Sequence, residues 1–141
     1  MRVRMLKYIE YITEISKWKK SWVNEDWERK VGSEYPPHEI LEYVETFHGQ
    51  DGDTDFYERI MSHDKFILKE IDINTLDLDE YQLDPEKVDE YKLDFNKYKK
   101  YPPIVIDDEN SIIDGLHRAN ALSELGYNNI KVYVGDGSPE L

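Results

Sequence analysis

The sequence contains no cysteine. That excludes a disulfide framework, a thiol nucleophile and a cysteine zinc site, and it fits a reducing compartment. Long apolar runs are also missing: nothing approaches the roughly 20 residues a membrane span needs. The start, Met1-Arg2-Val3-Arg4, is basic, but Lys7, Glu10 and Glu14 interrupt the next segment, so the apolar centre of a signal peptide is lacking. A soluble, cytoplasmic protein is expected. Base is scarce as well. Eighteen Lys and Arg stand against 31 Asp and Glu, a formal net charge of −13. Such a field repels polyanions, and duplex DNA binding ordinarily needs a basic face, so nucleic acid is not expected as a partner. No GxxxxGK[ST], GxGxxG or GxSxG string occurs. The four histidines, His38, His48, His63 and His117, show no metal-ligand spacing.

What remains is a chain of 141 residues, enough for one domain, or one domain with an extension, and for a core without staples. Residues 5–31 have apolar positions at steps of three and four (Leu6, Ile9, Ile12, Ile15, Trp18, Trp22), a helical period. With Trp27 this stretch holds all three tryptophans. A helix docked by an aromatic stripe is the plain expectation, and a partner face at Trp18, Trp22 and Trp27 the sharper one. Tyr35-Pro36-Pro37 breaks the element. Residues 38–48 form a second helical pattern, and a short helix is expected over 56–61. Asp51, Asp53 and Asp55 look like a calcium loop, but Phe56 stands where its glycine belongs and Ser62 where its glutamate belongs, so no calcium site is expected.

From Phe66 to Ile73 the pattern is that of a strand. Residues 70–94 hold ten acids against Lys87 and Lys92, and the strings DEYQLD and DEYKLD echo each other without making a repeat architecture. Asp84-Pro85 is a helix start, with an N-cap acid and proline at the first helical position. Tyr101-Pro102-Pro103 ends that helix. Ile104–Ile106 and Ser111–Ile113 form a hairpin across Asp107–Asn110. A helix leaves Gly115 and stops at Gly126, the strand 130–134 comes next, and the tail from Gly135 is expected to fray.

The stretch richest in chemistry is Asp114-Gly115-Leu116-His117-Arg118. Glycine at a strand-to-helix turn allows close backbone approach. The helix start offers unpaired N–H groups and a positive dipole end. His117 and Arg118 are unfavourable there unless an anion is held, a phosphate being the simplest. Asp114, or a carboxylate of the acidic loop Asp77–Glu80, could serve as a general base or stand near Mg2+. The competing expectation is that His117 and Arg118 simply pair with acids of the chain, and that Lys87 is a surface ion-pair partner.

Three pieces occur in one order: Leu83-Asp84-Pro85-Glu86-Lys87-Val88, Pro102-Pro103-Ile104, and Gly115-Leu116-His117-Arg118-Ala119-Asn120-Ala121. In this the chain resembles the ParB/sulfiredoxin superfamily over about residues 66–134. The resemblance implies an α+β fold: a small mixed sheet with packed helices, preceded by a helical extension over 1–65 and followed by a tail over 135–141. It implies a nucleotide, ATP or ADP with Mg2+, contacted by Lys87, Gly115, Leu116, His117 and Arg118. The sulfiredoxin cysteine position is Leu116 here, so that sulfinic-acid chemistry is excluded. The D-G-x-H-R turn is similar to that of free-serine kinases, which implies phosphoryl transfer to a small hydroxyl acceptor with Glu80 as base beside Asp79, or with Asp114 in that role. The turn is also related to the G-x-x-R turn through which chromosome-partition ParB proteins bind CTP, and the DGLHR string resembles that of DGQHR-type domains. The expectation from another class is a non-catalytic interaction module, a regulator or inhibitor, in which the turn only builds the fold.

Overall fold

A computed structural model describes residues 30–48, 54–78 and 83–137. The helix expected over residues 5–31 lies outside the described residues except at 30 and 31, which are not helical, and the tryptophans, the aspartates at 51 and 53, and Asp79 and Glu80 also lie outside them.

The elements run β1 (Glu34–Tyr35), α1 (Pro37–His48), α2 (Thr54–Met61), β2 (Lys65–Asp72), α3 (Pro85–Tyr98), β3 (Ile104–Ile106), β4 (Ile112–Asp114), α4 (Leu116–Glu124) and β5 (Asn129–Asp136), with a 3-10 turn at Ile73–Thr75. The five strands form one sheet in the order β1-β2-β5-β3-β4. β5 lies at its centre, antiparallel to β2 over the full length of both, from Lys65↔Asp136 to Asp72↔Asn129, and parallel to β3. β3 and β4 form the expected antiparallel hairpin, with an irregularity between Val105 and Ile106. The fold is mixed α+β, a small sheet with packed helices.

Side-chain alternation divides the core between the two sheet faces. Ile104, Ile106, Ile130 and Val132 face one way and meet Val88 and Phe95 of α3 and Ala119, Ala121 and Leu122 of α4. Val105, Tyr133, Phe66 and Leu68 face the other way and meet Ile40 and Val44 of α1 and Ile60 of α2. β3 is buried at all three positions because helices cover both faces, as continuous apolar strands require. Residues on both sides of position 65 thus share one core.

Local chemistry explains the ends. The Asp84 side chain accepts the Glu86 amide at 3.0 Å and Pro85 opens α3. Asp107 accepts the amides of Glu109 and Ser111, both at 2.9 Å, and closes the β3–β4 turn. The structure differs from expectation at both ends of the described region. The residues before Pro36 pair with β2 as β1, and Gly135 and Asp136 continue β5 instead of fraying, because β2 supplies partners as far as Lys65. No helix among the described residues is long and apolar enough to cross a membrane.

Ile40→Ala and Ile60→Ala are expected to destabilise the chain by about 2–5 kcal/mol each, the same range as Ile106→Ala. Chemical denaturation checks this. Losses within ~0.5 kcal/mol for the first two, the range of ordinary surface substitutions, would place them outside the cooperative core.

Candidate functional site

The turn from β4 into α4 is where the sequence concentrates its chemistry. Gly115 caps α4 with φ of 108° and no side-chain hydrogen bond. A Cβ there would stand 3.0 Å from Ile104 Cγ1 and 3.1 Å from Arg118 Nη2. Glycine is needed at this position for its left-handed backbone and for the room it leaves beside the guanidinium.

Asp114 ends β4 and Arg118 sits one helical turn later; both are buried. Arg118 Nη2 donates to Asp114 Oδ2 at 2.7 Å. Its Nη1 donates to the carbonyls of Pro102 at 3.1 Å and Pro103 at 3.2 Å, and to the Tyr43 hydroxyl at 3.2 Å. The Tyr43 hydroxyl in turn donates to the Pro103 carbonyl. One guanidinium therefore ties β4, α4, the Pro102-Pro103 segment and α1. The planar fork of five donors suits such a cage of acceptors.

The electrostatics follow the same geometry. Burial works against charge on Arg118, but the Tyr43 oxygen and the Asp114 carboxylate override it and hold the guanidinium above its ordinary value. Burial pushes the Tyr43 hydroxyl far above the usual phenol range, against the opposing pull of Arg118. Tyr43 also packs edge-on against Tyr133, with ring centroids 5.2 Å apart.

His117 faces elsewhere. Its Nε2 accepts the Asp84 amide at 3.0 Å, which joins the first turn of α4 to the N-cap of α3. That donor gives Nε2 the acceptor role. Leu116 is half-buried, and its carbonyl accepts the Asn120 side-chain amide at 2.9 Å. Lys87 lies on the exposed first turn of α3.

The structure thus brings Asp114, Gly115 and Arg118 into one cluster and sets His117 at the meeting point of two helix starts. The counter-charge that Arg118 requires comes from Asp114, within the chain. Tyr43 and the two proline carbonyls were not anticipated. Tyr43 is 75 residues from Arg118, and Pro102-Pro103 had signalled a helix end and a piece of the family pattern, not acceptors for an arginine. Among the described residues no group of three or more His, Asp or Glu is placed to hold a metal.

The expected partner face at Trp18, Trp22 and Trp27 is corrected. The aromatic contacts of the described residues join tyrosines, phenylalanines and one histidine: Tyr35–Tyr133, Tyr43–Tyr133, His63–Phe66, Tyr91–Phe95, Phe95–Tyr101 and Tyr101–Tyr127. Tyrosines dominate because they join an apolar ring to a hydroxyl that finds acceptors inside.

Arg118→Ala is expected to cost about 3–5 kcal/mol, because it leaves Asp114 buried without its partner. Replacing both, as Asp114→Leu with Arg118→Met, is expected to recover much of that loss in urea denaturation. A double variant no more stable than the single one would contradict the cage as described.

A second expectation concerns alkaline pH. The Tyr43 hydroxyl binds its proton more tightly in the folded chain than in the unfolded chain, where phenols titrate near pH ~10. Its contribution is fully present below that pH and declines as pH rises above it. Stability measured from about pH 9 to 11, the range that brackets the free phenol, should fall, and Tyr43→Phe should fall less steeply. Parallel slopes would exclude Tyr43 as the source.

No protein-family model matches the chain, and no curated protein matches it. Among solved structures, the chain is similar to one described as the C2221 form of a Pnob8-like ParB-N domain, at 17% identity and a TM-score of 0.43, over 50% of this chain and 30% of that one.

Proposed function

We propose that this chain is a non-catalytic protein-interaction module, a regulator or inhibitor, that keeps a ParB/sulfiredoxin-like α+β frame. One observation carries this: the Arg118 guanidinium, the strongest cation of the DGLHR turn, is held by Asp114, Pro102, Pro103 and Tyr43 and is only 2% exposed. His117 is likewise engaged, with Asp84. In this role the turn is a clamp that sets α4 against the sheet.

Phosphoryl transfer would ask more of the same residues. ATP or ADP with Mg2+ would be seated by Lys87, Gly115, Leu116, His117 and Arg118, with Glu80 or Asp114 as base. Arg118 would have to leave Asp114, which strands a buried carboxylate at a cost of about 3–5 kcal/mol. A base at Asp114 would likewise compete with its own ion pair.

Thermal melting with ATP, ADP, CTP or GTP, each with Mg2+, tests this. No shift is expected. A nucleotide at about 100 times its Kd would add about 2.7 kcal/mol. A shift of that size that disappears in Lys87→Ala would overturn the proposal in favour of a nucleotide site.

A further inference from the structure

His63 is a buried titratable side chain outside the clamp. It stands two residues after α2 and fills the corner where that helix turns into β2. Its ring lies on Gly135 of β5, so closely that a Cβ at that position would stand 2.5 Å from Cδ2 and 2.7 Å from Nε2. The Phe66 ring borders it, with centroids 5.2 Å apart. The imidazole is therefore fixed in place.

Its two nitrogens meet different partners. Nδ1 lies 2.9 Å from the Arg59 carbonyl, which can only accept, so Nδ1 carries the proton in the neutral ring. Nε2 then holds a lone pair, and 3.8 Å away stands Asp108 Oδ1, on the β3–β4 turn. Two acceptors face each other across a gap about 1 Å longer than a charge-assisted hydrogen bond. The Asp108 side chain is 53% exposed, on a turn with solvent on its outer side.

The other charged groups around this corner are directed elsewhere. On α2, Arg59 reaches Asp107 at 3.5 Å and donates to the Ile112 carbonyl at 3.3 Å. At the start of β2, the Asp64 amide donates to the carbonyls of Asp136 and Gly137, and the Asp64 carboxylate lies over Gly137. Lys65 bonds Glu34 of β1 at 2.8 Å and stands 4.0 Å from Asp136 of β5. Of these groups, Asp108 is the one that faces His63 Nε2.

We propose that His63 is a proton-operated clasp. A proton taken from solvent onto the Nε2 lone pair makes a donor, and Nε2–H bonds the Asp108 carboxylate. Gly135 and Phe66 pack against the ring, and Asp108 stands on the exposed side of the gap. The turn therefore closes, drawing residues 107–111 onto the corner between α2 and β2. Loss of the proton restores two facing acceptors and releases the turn. Arg59 also contacts this turn, through Asp107 and the Ile112 carbonyl, so His63 adjusts a contact that Arg59 shares.

The test is an NMR titration of the full chain from about pH 5 to 8, following the His63 ring and the amides of Asp108 and Glu109. In the wild-type chain the turn amides should shift together with the ring, with one midpoint. In Asp108→Asn the ring should still titrate while most of the turn response is lost. In His63→Gln the turn response should vanish. Turn amides that move equally in Asp108→Asn, or a ring unchanged across the range, would overturn the proposal. Asp108 is exposed, so this variant decides the matter even if His63→Gln fails to fold.

Discussion

The buried ion pair between Asp114 and Arg118 is the constraint around which half of this fold is arranged. A guanidinium inside a protein must be paired and its donors satisfied. Here the requirement is met from three segments, one of them the same turn. Asp114 supplies the charge at 2.7 Å, Pro102 and Pro103 supply carbonyls, and Tyr43 supplies an oxygen from the opposite end of the described chain. Satisfying one side chain thus fixes the entry of β3, the end of β4, the start of α4 and the position of α1. Gly115 belongs to the same arrangement, since a side chain there would crowd both Ile104 and the guanidinium.

This gives the DGLHR string a different physical meaning from the one its composition suggests. Cations at a helix start are unfavourable unless an anion is near. The anion here is a residue of the same turn, four positions earlier. His117 acts as a hydrogen-bond acceptor: its Nε2 takes the amide of Asp84. Both residues serve packing between elements, the arginine joining α4 to the sheet and α1, the histidine joining α4 to α3.

The elements with strong local signals were legible in advance. Asp84-Pro85 announced α3 because an N-cap acid and a first-turn proline act within a few residues. Ile104–Ile106 and Ile112–Ile113 announced the hairpin through β-branched runs around a polar turn. β1 was hidden, since two residues before a proline pair carry no periodicity, and their strand character comes from pairing with β2. The end of β5 was hidden for the same reason: Gly135 and Asp136 have poor strand propensity, and only the register with β2 keeps them in the sheet. At the site, the residues of the turn were visible and their partners were not. Tyr43 sits on a helix whose pattern shows an amphipathic face and gives no sign of an arginine 75 residues away.

The sequence by itself determined that this chain has no thiol chemistry, that it carries a strong negative charge, that it alternates strands with helices, and that a glycine turn holds an acid and an arginine one helical turn apart. Those facts are local, or sums over the chain. Which way the arginine points was decided only by tertiary structure. Its direction depends on whether the interior offers enough acceptors to replace water. Those acceptors are two proline carbonyls and a phenol, brought together by the packing of helices on both faces of the sheet.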